Sequence, residues 1–298
     1  MKRLICVVAV VAAGSAVAAQ QPPAAPQQAP PAVTLEWNDK IPAGNADHAA
    51  RALKESPRHG EWVDIKLPDG VALKTWVVYP ERKDKGGVVL VIHDINGMRD
   101  WPRALGDQLA EDGFIAIVPD FLSGKGPDGG GTASLGTGVG QAIRTLTADE
   151  VNARLDAAMN YGKALPSANG KIGVIGFCWG GNKSFGYAIH QPNLSAAVVY
   201  YGEFPGTSPG PPTEATEAQA KGIRAAVLGL YGGDDSRINS TVSWTTDTMK
   251  KYGKPYETHT FEGAGHGFLG GQGRSEANLK ASEKAWPLTT AFLTKHLR

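Results

Sequence analysis

The feature that most constrains the fold of this 298-residue chain is a series of five short, uninterrupted apolar runs. None of them alternates apolar with polar side chains, so neither face of these strands is expected to contact solvent. Strands of a parallel sheet with helices on both faces have this pattern. The runs are GVVLVI (residues 87–92), FIAIVP (114–119), KIGVIGF (171–177), SAAVVYY (195–201) and AAVLGLY (225–231). They predict an α/β fold with a mostly parallel, doubly wound sheet.

The segments around these runs have clear signals of their own. Apolar and polar residues alternate in residues 61–67 and 72–80 on either side of a Pro-Asp-Gly turn, which predicts a β-hairpin. Thr147 and Glu150 have the spacing of a capping box at the start of a helix. A last helix is expected from about residue 275 to 297, packed on the sheet.

We therefore predict one α/β domain over residues 57–298. Residues 20–56 are expected to form a Pro/Ala-rich tether followed by a short helix around residues 45–55. Two Gly- or Pro-rich stretches, residues 123–140 and 203–216, interrupt the domain as long loops. Such loops either form walls of a binding site or are plain surface variation, and the sequence favours neither.

The N-terminus has the pattern of a secretory signal. Two basic residues precede an apolar stretch that ends in an Ala-Val-Ala site, so residues 1–19 are predicted to be a cleaved signal peptide. The stretch is short for a membrane anchor, the alternative interpretation. We expect a periplasmic or secreted protein with no membrane contact after cleavage. Cleavage would remove Cys6 and leave Cys178 as the one cysteine of the mature chain.

Composition excludes several classes of function. The formal net charge is +1, and basic residues do not cluster with aromatic ones, so nucleic acid is not an expected partner. No metal-ligand cluster or phosphate loop is evident, so we predict neither a metal nor a cofactor. The sequence carries no signal for the oligomeric state.

The strongest chemical signal is the cysteine at the end of one apolar run. In GFCWGG, Cys178 lies between Gly176 and Gly180, which is the nucleophile-elbow pattern with cysteine in the place of serine. Flanking glycines permit a sharp strand-to-helix turn that raises the side chain above the sheet. The helix N-terminus behind it favours a thiolate and an oxyanion. The alternative is a buried cysteine in a tight turn.

Two further strand ends supply partners for this thiol. LYGGDD ends a strand at Asp234 and Asp235, and GAGHGF places His266 in a glycine-rich turn after another strand. Nucleophile, acid and histidine thus follow in the order that α/β-hydrolases use. The spacing of Gly232 and Ile238 around the acid favours Asp235 over Asp234.

These motifs, together with VLVIHDINGM, resemble the dienelactone hydrolase family over about residues 58–298. The resemblance implies an α/β-hydrolase fold and hydrolysis of esters or lactones with Cys178 as nucleophile, His266 as base and Asp235 as the orienting carboxylate. It also implies that the backbone N–H groups of Trp179 and Ile95 form an oxyanion hole.

The resemblance further places Asp94 where the family has a glutamate close to the thiol. A carboxylate near a thiol disfavours the thiolate. Asp94 is therefore expected to keep Cys178 unreactive until substrate binds; the alternative is that Asp94 only caps a turn.

The family's dienelactone-cleaving members bind the substrate carboxylate with two arginines, and this chain lacks both. Gly124 and Gly270 stand at their positions, while Lys125 and Arg274 are near in sequence but out of register. An unpaired buried carboxylate is costly, so the sequence predicts that neutral esters are better substrates than carboxylated lactones.

The resulting prediction is an exported thiol hydrolase of small esters or lactones that acts through a Cys178 thioester. Two alternatives stay open at this point. One is a hydrolase of cell-wall, polysaccharide or peptide acyl groups, with the long loops accommodating a larger substrate. The other is a catalytically silent binding protein, although no member of the predicted triad is missing.

Overall fold

The computed structural model describes residues 32–298, which form an eight-stranded sheet with helices on both faces. In space the strands follow the order β1-β2-β4-β3-β5-β6-β7-β8. Strands β3 to β8 are parallel to one another, and only β1 and β2 run antiparallel to their neighbours. The strands are β1 (Gly60–Lys66), β2 (Ala72–Val78), β3 (Gly86–Ile92), β4 (Ile115–Pro119), β5 (Ala168–Phe177), β6 (Ala196–Tyr200), β7 (Ala226–Gly232) and β8 (Tyr256–Phe261).

The predicted α/β fold and the predicted hairpin are both confirmed. The five apolar runs are strands β3 to β7, and almost every residue in them is buried, as expected for strands covered on both faces. The edge strand β8 has only half-buried and exposed residues, and only one neighbouring strand flanks it.

The helices divide between the two faces of the sheet. Helices α2 and α9 pack on one face and α5, α6 and α8 on the other, and each face has its own apolar cluster. Such burial contributes roughly 25 cal/mol per Å² of apolar surface removed from water. The helices are α1 (Ala46–Glu55), α2 (Asp100–Glu111), α3 (Thr132–Leu135), α4 (Val139–Thr145), α5 (Ala148–Ala164), α6 (Trp179–His190), α7 (Glu214–Gln219), α8 (Ser236–Lys251) and α9 (Glu276–Leu297).

Helix starts agree with their sequence signals. Thr147 and Glu150 form the predicted capping box at the start of α5. Asn45 caps α1, and Ser275 caps α9. A favourable N-cap contributes about 1 kcal/mol, which helps to fix where each helix begins.

The glycine-rich stretch 123–140 is more ordered than the predicted loop. It contains α3 and two short 3₁₀ turns, and α4 begins at Val139. The reason is Asp120, whose buried carboxylate accepts hydrogen bonds from the Thr132 N–H and hydroxyl and from the Leu122 N–H. One side chain at the end of β4 thus organises the segment that follows it.

In the N-terminal segment, residues 33–56 lie in the same compact unit as residues 57–298. The predicted signal peptide 1–19, Cys6 and most of the predicted tether lie outside the described residues. Within residues 32–298, no helix is long and apolar enough to cross a bilayer.

Candidate functional site

Cys178 lies in a sharp turn between β5 and α6, as the sequence predicts. Its φ is +58°, a conformation that costs a non-glycine residue about 1–3 kcal/mol. The turn also requires glycines for close backbone packing. A side chain at Gly176 would collide with the backbone of Gly180, and one at Gly181 would come within 2.6 Å of the Tyr200 carbonyl oxygen. The sharp turn therefore requires the glycines of the sequence pattern and also strains the backbone of Cys178.

Two backbone N–H groups near Cys178 have no hydrogen-bond acceptor within the described residues. Trp179 is the first residue of α6, where an N–H group has no partner inside the helix. Ile95 lies in the turn after β3 and lines the same cavity as Cys178. Among the hydrogen bonds of residues 32–298, neither N–H group has an acceptor. These are the groups that the resemblance assigns to an oxyanion hole.

The histidine and the acid predicted to assist the thiol are in direct contact. His266 Nδ1 lies 2.5 Å from Asp235 Oδ2. Asp235 is buried and also accepts a 3.4 Å hydrogen bond from the Ile238 N–H at the start of α8, whereas Asp234 is exposed. The structure thus pairs His266 with the aspartate that the spacing favoured.

The surroundings of His266 hold it in the protonated form at neutral pH. Burial acts to lower the pKa of His266, but hydrogen bonding to Asp235 and the nearby Cys178 outweigh burial and raise this pKa to about 9. A histidine beside a cysteine can exchange a proton with the substrate or with water while the sulfur reacts. The arrangement can therefore support attack by sulfur on an electrophilic carbon.

Cys178 and His266 open onto a cavity of about 420 Å³. Tyr201, which sequence reasoning missed, lines it and packs its ring edge-on against His266, with centroids 5.1 Å apart. Burial raises the pKa of Tyr201 well above its usual value, so its hydroxyl stays neutral. Its position at the end of an apolar run could have identified it, because strand ends converge on this edge of the sheet.

Asp94 lines the same cavity, and both oxygens of its carboxylate accept hydrogen bonds from neighbouring residues. Arg99 donates to both of its oxygens, at 3.1 and 2.8 Å, and the Asn96 N–H donates to Oδ1 at 2.8 Å. Asp94 thus fills the turn role proposed as the alternative. Its influence on the Cys178 thiol stays a prediction, which the rate of thiol alkylation in Asp94→Asn tests.

The two basic residues considered from the sequence behave differently. Lys125 pairs with Glu150, and Lys125 does not line the cavity. Arg274 does line it, and within residues 32–298 its guanidinium has neither a hydrogen bond nor an ion pair. Counting positions from His266 led to Gly270, whereas the chain turns at Gln272–Arg274 and Arg274 lines the cavity.

The glycines at the family's arginine positions have local structural reasons. Gly124 has a φ of +80°, and a Cβ there would come within 3.0 Å of Val71. A Cβ at Gly270 would come within 3.0 Å of the Trp101 indole, which fills the space beside it. An arginine would not fit at either position without displacing a neighbour.

His93 is a buried histidine that the sequence analysis did not single out. Its Nδ1 donates to the Asp94 carbonyl at 2.9 Å, and its Nε2 accepts from the Phe121 N–H at 3.3 Å. Its ring stacks on Trp179 at 5.9 Å between centroids. Burial lowers the pKa of His93, so its ring is neutral. Through these contacts the ring links the turn that contains Ile95 to the nucleophile elbow.

A second cleft adjoins the first and shares Arg99 and Asp100 with it. Residues 129–131 line this cleft, whereas no residue of 203–216 lines the cavity around Cys178. In residues 32–298, no cluster of His, Cys, Asp and Glu side chains could hold a metal ion.

Comparison with known proteins gives a consistent result. Residues 73–297 match the model of the dienelactone hydrolase family. A protein of Methylorubrum extorquens named "Putative carboxymethylenebutenolidase" is 29% identical over 208 residues, which cover 69% of this chain and 71% of that protein. A protein of the same name from Saccharolobus solfataricus is 26% identical over 258 residues, covering 76% of this chain and 95% of the relative.

The fold is also shared with solved structures. A crystal structure named "Putative Dienelactone Hydrolase", from Klebsiella pneumoniae, superposes with a TM-score of 0.67 at 24% identity. The match covers 80% of this chain and 98% of the other. At this identity the likeness establishes the fold, which is the α/β-hydrolase fold.

Proposed function

The chain belongs to the dienelactone hydrolase family and is thus a hydrolase of ester or lactone bonds, and we propose that it cleaves small esters or lactones through a thioester on Cys178. The observation that carries this proposal is the strained turn that places Cys178 at a cavity also lined by His266, whose ring is hydrogen-bonded to Asp235. An assay of activated-ester hydrolysis with and without a thiol-blocking reagent tests the proposal. Hydrolysis is expected to stop when the thiol is blocked.

In the first half of the proposed reaction, the Cys178 sulfur attacks the carbonyl carbon of the ester. A C–S bond forms and the carbonyl oxygen becomes an oxyanion, which the N–H groups of Ile95 and Trp179 stabilise by several kcal/mol. The oxyanion then collapses, and the C–O bond to the leaving group breaks. His266 Nε2 gives its proton to the departing alkoxide, while Asp235 holds Nδ1.

The second half releases the acyl group. His266, now neutral, accepts a proton from water as that water attacks the thioester carbonyl carbon. The C–S bond breaks, and the sulfur leaves as a thiolate beside the reprotonated histidine. The acid product dissociates, and the Cys178 thiolate and the protonated His266 are ready for the next cycle.

We further propose that the protein is exported and loses residues 1–19. The proposal rests on the basic, apolar and small-residue pattern of the N-terminus. The intact mass of protein recovered from the periplasm or medium is expected to begin at Gln20 and to contain one titratable thiol, Cys178. A retained N-terminus would contradict both statements.

The position of Arg274 changes the expectation about substrate charge. The other charged side chains of the cavity are paired: Arg99 with Asp94, Asp100 with Arg103. Among the described residues that line the cavity, Arg274 is thus the cation without an ion-pair partner, since Arg99 pairs with Asp94 and His266 with Asp235. An ester that carries a carboxylate is therefore expected to bind better than its neutral analogue, contrary to the preference predicted from sequence.

Replacing Arg274 with Gln is expected to lower kcat/KM for 4-nitrophenyl hydrogen adipate about 10-fold, the value of one charged hydrogen bond. The neutral analogue 4-nitrophenyl hexanoate should change less than about 2-fold. Lys125→Gln removes a cation that lies outside the cavity and is the matched control. Equal losses for the two esters in Arg274→Gln would show that Arg274 does not bind the carboxylate.

A further inference from the structure

Residues 33–45, here called the strap, precede the part of the chain that matches the family model. The strap is nevertheless bonded directly to segments that build the cavity. The Val33 N–H donates to the Gly273 carbonyl at 2.9 Å, and Gln272 Nε2 donates to the Pro42 carbonyl at 2.8 Å. The strap therefore fixes the turn that carries Arg274.

The strap is a tightly packed wall rather than a loosely attached tail. Residues 41–44 are buried. A Cβ at Gly44 would lie 2.5 Å from Gln272 Oε1, so the backbone approaches as closely as glycine allows. Trp101 Nε1 donates to the Ala43 carbonyl at 2.7 Å, which holds in place the indole that lines the cavity beside Gly270.

Asn45 is the point at which the strap reaches the cavity, and it lines the cavity together with Cys178 and His266. Its Oδ1 accepts the 2.7 Å hydrogen bond from the His48 N–H that caps α1. This bond occupies the side-chain oxygen of Asn45. Within residues 32–298, the Nδ2 amide group donates no hydrogen bond. An amide nitrogen has two N–H groups to donate, so Asn45 is a free donor at the cavity wall.

We propose that Asn45 is a substrate-binding residue, whose side-chain amide donates to the same carboxylate that Arg274 binds. The strap gives both residues their positions, since it contains Asn45 and is hydrogen-bonded to the turn that carries Arg274. This inference rests on the proposed function for its substrate. It adds a specificity-determining residue from a segment that the family model does not include.

Asn45→Ser tests the proposal, because serine still caps α1 but has no amide donor. Asn45→Ser should lower kcat/KM for 4-nitrophenyl hydrogen adipate about 10-fold and change that for 4-nitrophenyl hexanoate less than about 2-fold, with Tm unchanged. Asn38→Ser is the matched control, because Asn38 caps a backbone N–H in the strap but does not line the cavity. Equal losses with both esters, or none, would overturn the role of Asn45.

A second measurement separates this proposal from the hydrolase mechanism. Adipate bound in the cavity should protect Cys178 from iodoacetamide, and no ester hydrolysis is needed to observe it. The adipate concentration for half-protection should rise about 10-fold in Asn45→Ser and stay constant in Asn38→Ser. If adipate protects Cys178 in a way that depends on Asn45 but the enzyme has no esterase activity, the carboxylate subsite is supported and the proposed hydrolysis is rejected. Absence of protection, or equal protection of both variants, rejects the subsite.

Discussion

Cys178→Ala is expected to lower kcat/KM for activated esters by roughly 10⁴-fold or more, because alanine lacks the sulfur that forms the proposed thioester. Alanine is smaller than cysteine and is no more strained at the φ of +58° that this position requires. The fold should therefore persist, and an unchanged circular dichroism spectrum and a Tm close to that of the wild type would confirm that the loss is chemical. Steady-state kinetics with 4-nitrophenyl acetate measures the effect.

Cys178→Ser gives the informative comparison. It keeps a nucleophilic oxygen in the same turn, but an alcohol needs more help from a base than a thiol beside a histidinium does. We expect a small but measurable residual activity, above that of Cys178→Ala. Full activity in Cys178→Ala would mean that ester cleavage occurs elsewhere in the protein.

The second large effect is expected at the histidine and its acid. His266→Ala should lower kcat/KM by roughly 10³-fold to 10⁴-fold, since both proton transfers of the proposed cycle use this ring. Asp235→Asn should cost less, roughly 10²-fold, because an asparagine still caps α8 but no longer stabilises the histidinium. Asp234→Asn is the matched control at the exposed neighbour and should change kcat/KM less than about 2-fold. A larger loss in Asp234→Asn than in Asp235→Asn would mean that the acid is misassigned.

The His266–Asp235 pair should also make the thermal stability of the protein depend on pH. The folded-state pKa of His266, about 9, lies above the ordinary value for histidine. A raised histidine pKa stabilises the fold fully below the unfolded-state pKa, and that contribution is lost as pH rises through about 9. The Tm difference between wild type and Asp235→Asn should therefore be larger at about pH 6 than above the folded-state pKa. A difference that does not change with pH would contradict the charged form of His266.

The sequence was sufficient for the elements whose signals are local. Continuous apolar runs predicted the parallel strands, and each candidate catalytic residue lies in the turn after one strand. Because the carboxyl ends of parallel strands meet at one edge of a sheet, Cys178, Asp235 and His266 could be placed together without any structure. The choice between Asp234 and Asp235 also followed from local spacing around the turn.

The cavity wall could not be predicted in the same way, because its contacts are distant in sequence. Pro42 and Gln272 are 230 residues apart, and nothing in the sequence around either one indicates the other. Arg274 was set aside because Gly270 stands at the family's position in the sequence, and the 3₁₀ turn Gln272–Arg274 that carries Arg274 at the cavity could not be foreseen. Asn45 was predicted only as the start of a helix, and its second role depends on where the strap lies.

The most direct test of a Cys178 thioester is the intact mass of the enzyme after a rapid acid quench. The protein is mixed with 4-nitrophenyl acetate and quenched at times shorter than one turnover, and its peptides are then mapped. A thioester mechanism predicts an increase of one acetyl group located on Cys178, with no increase in Cys178→Ala. Turnover without any adduct on Cys178, or the same adduct in Cys178→Ala, would contradict it.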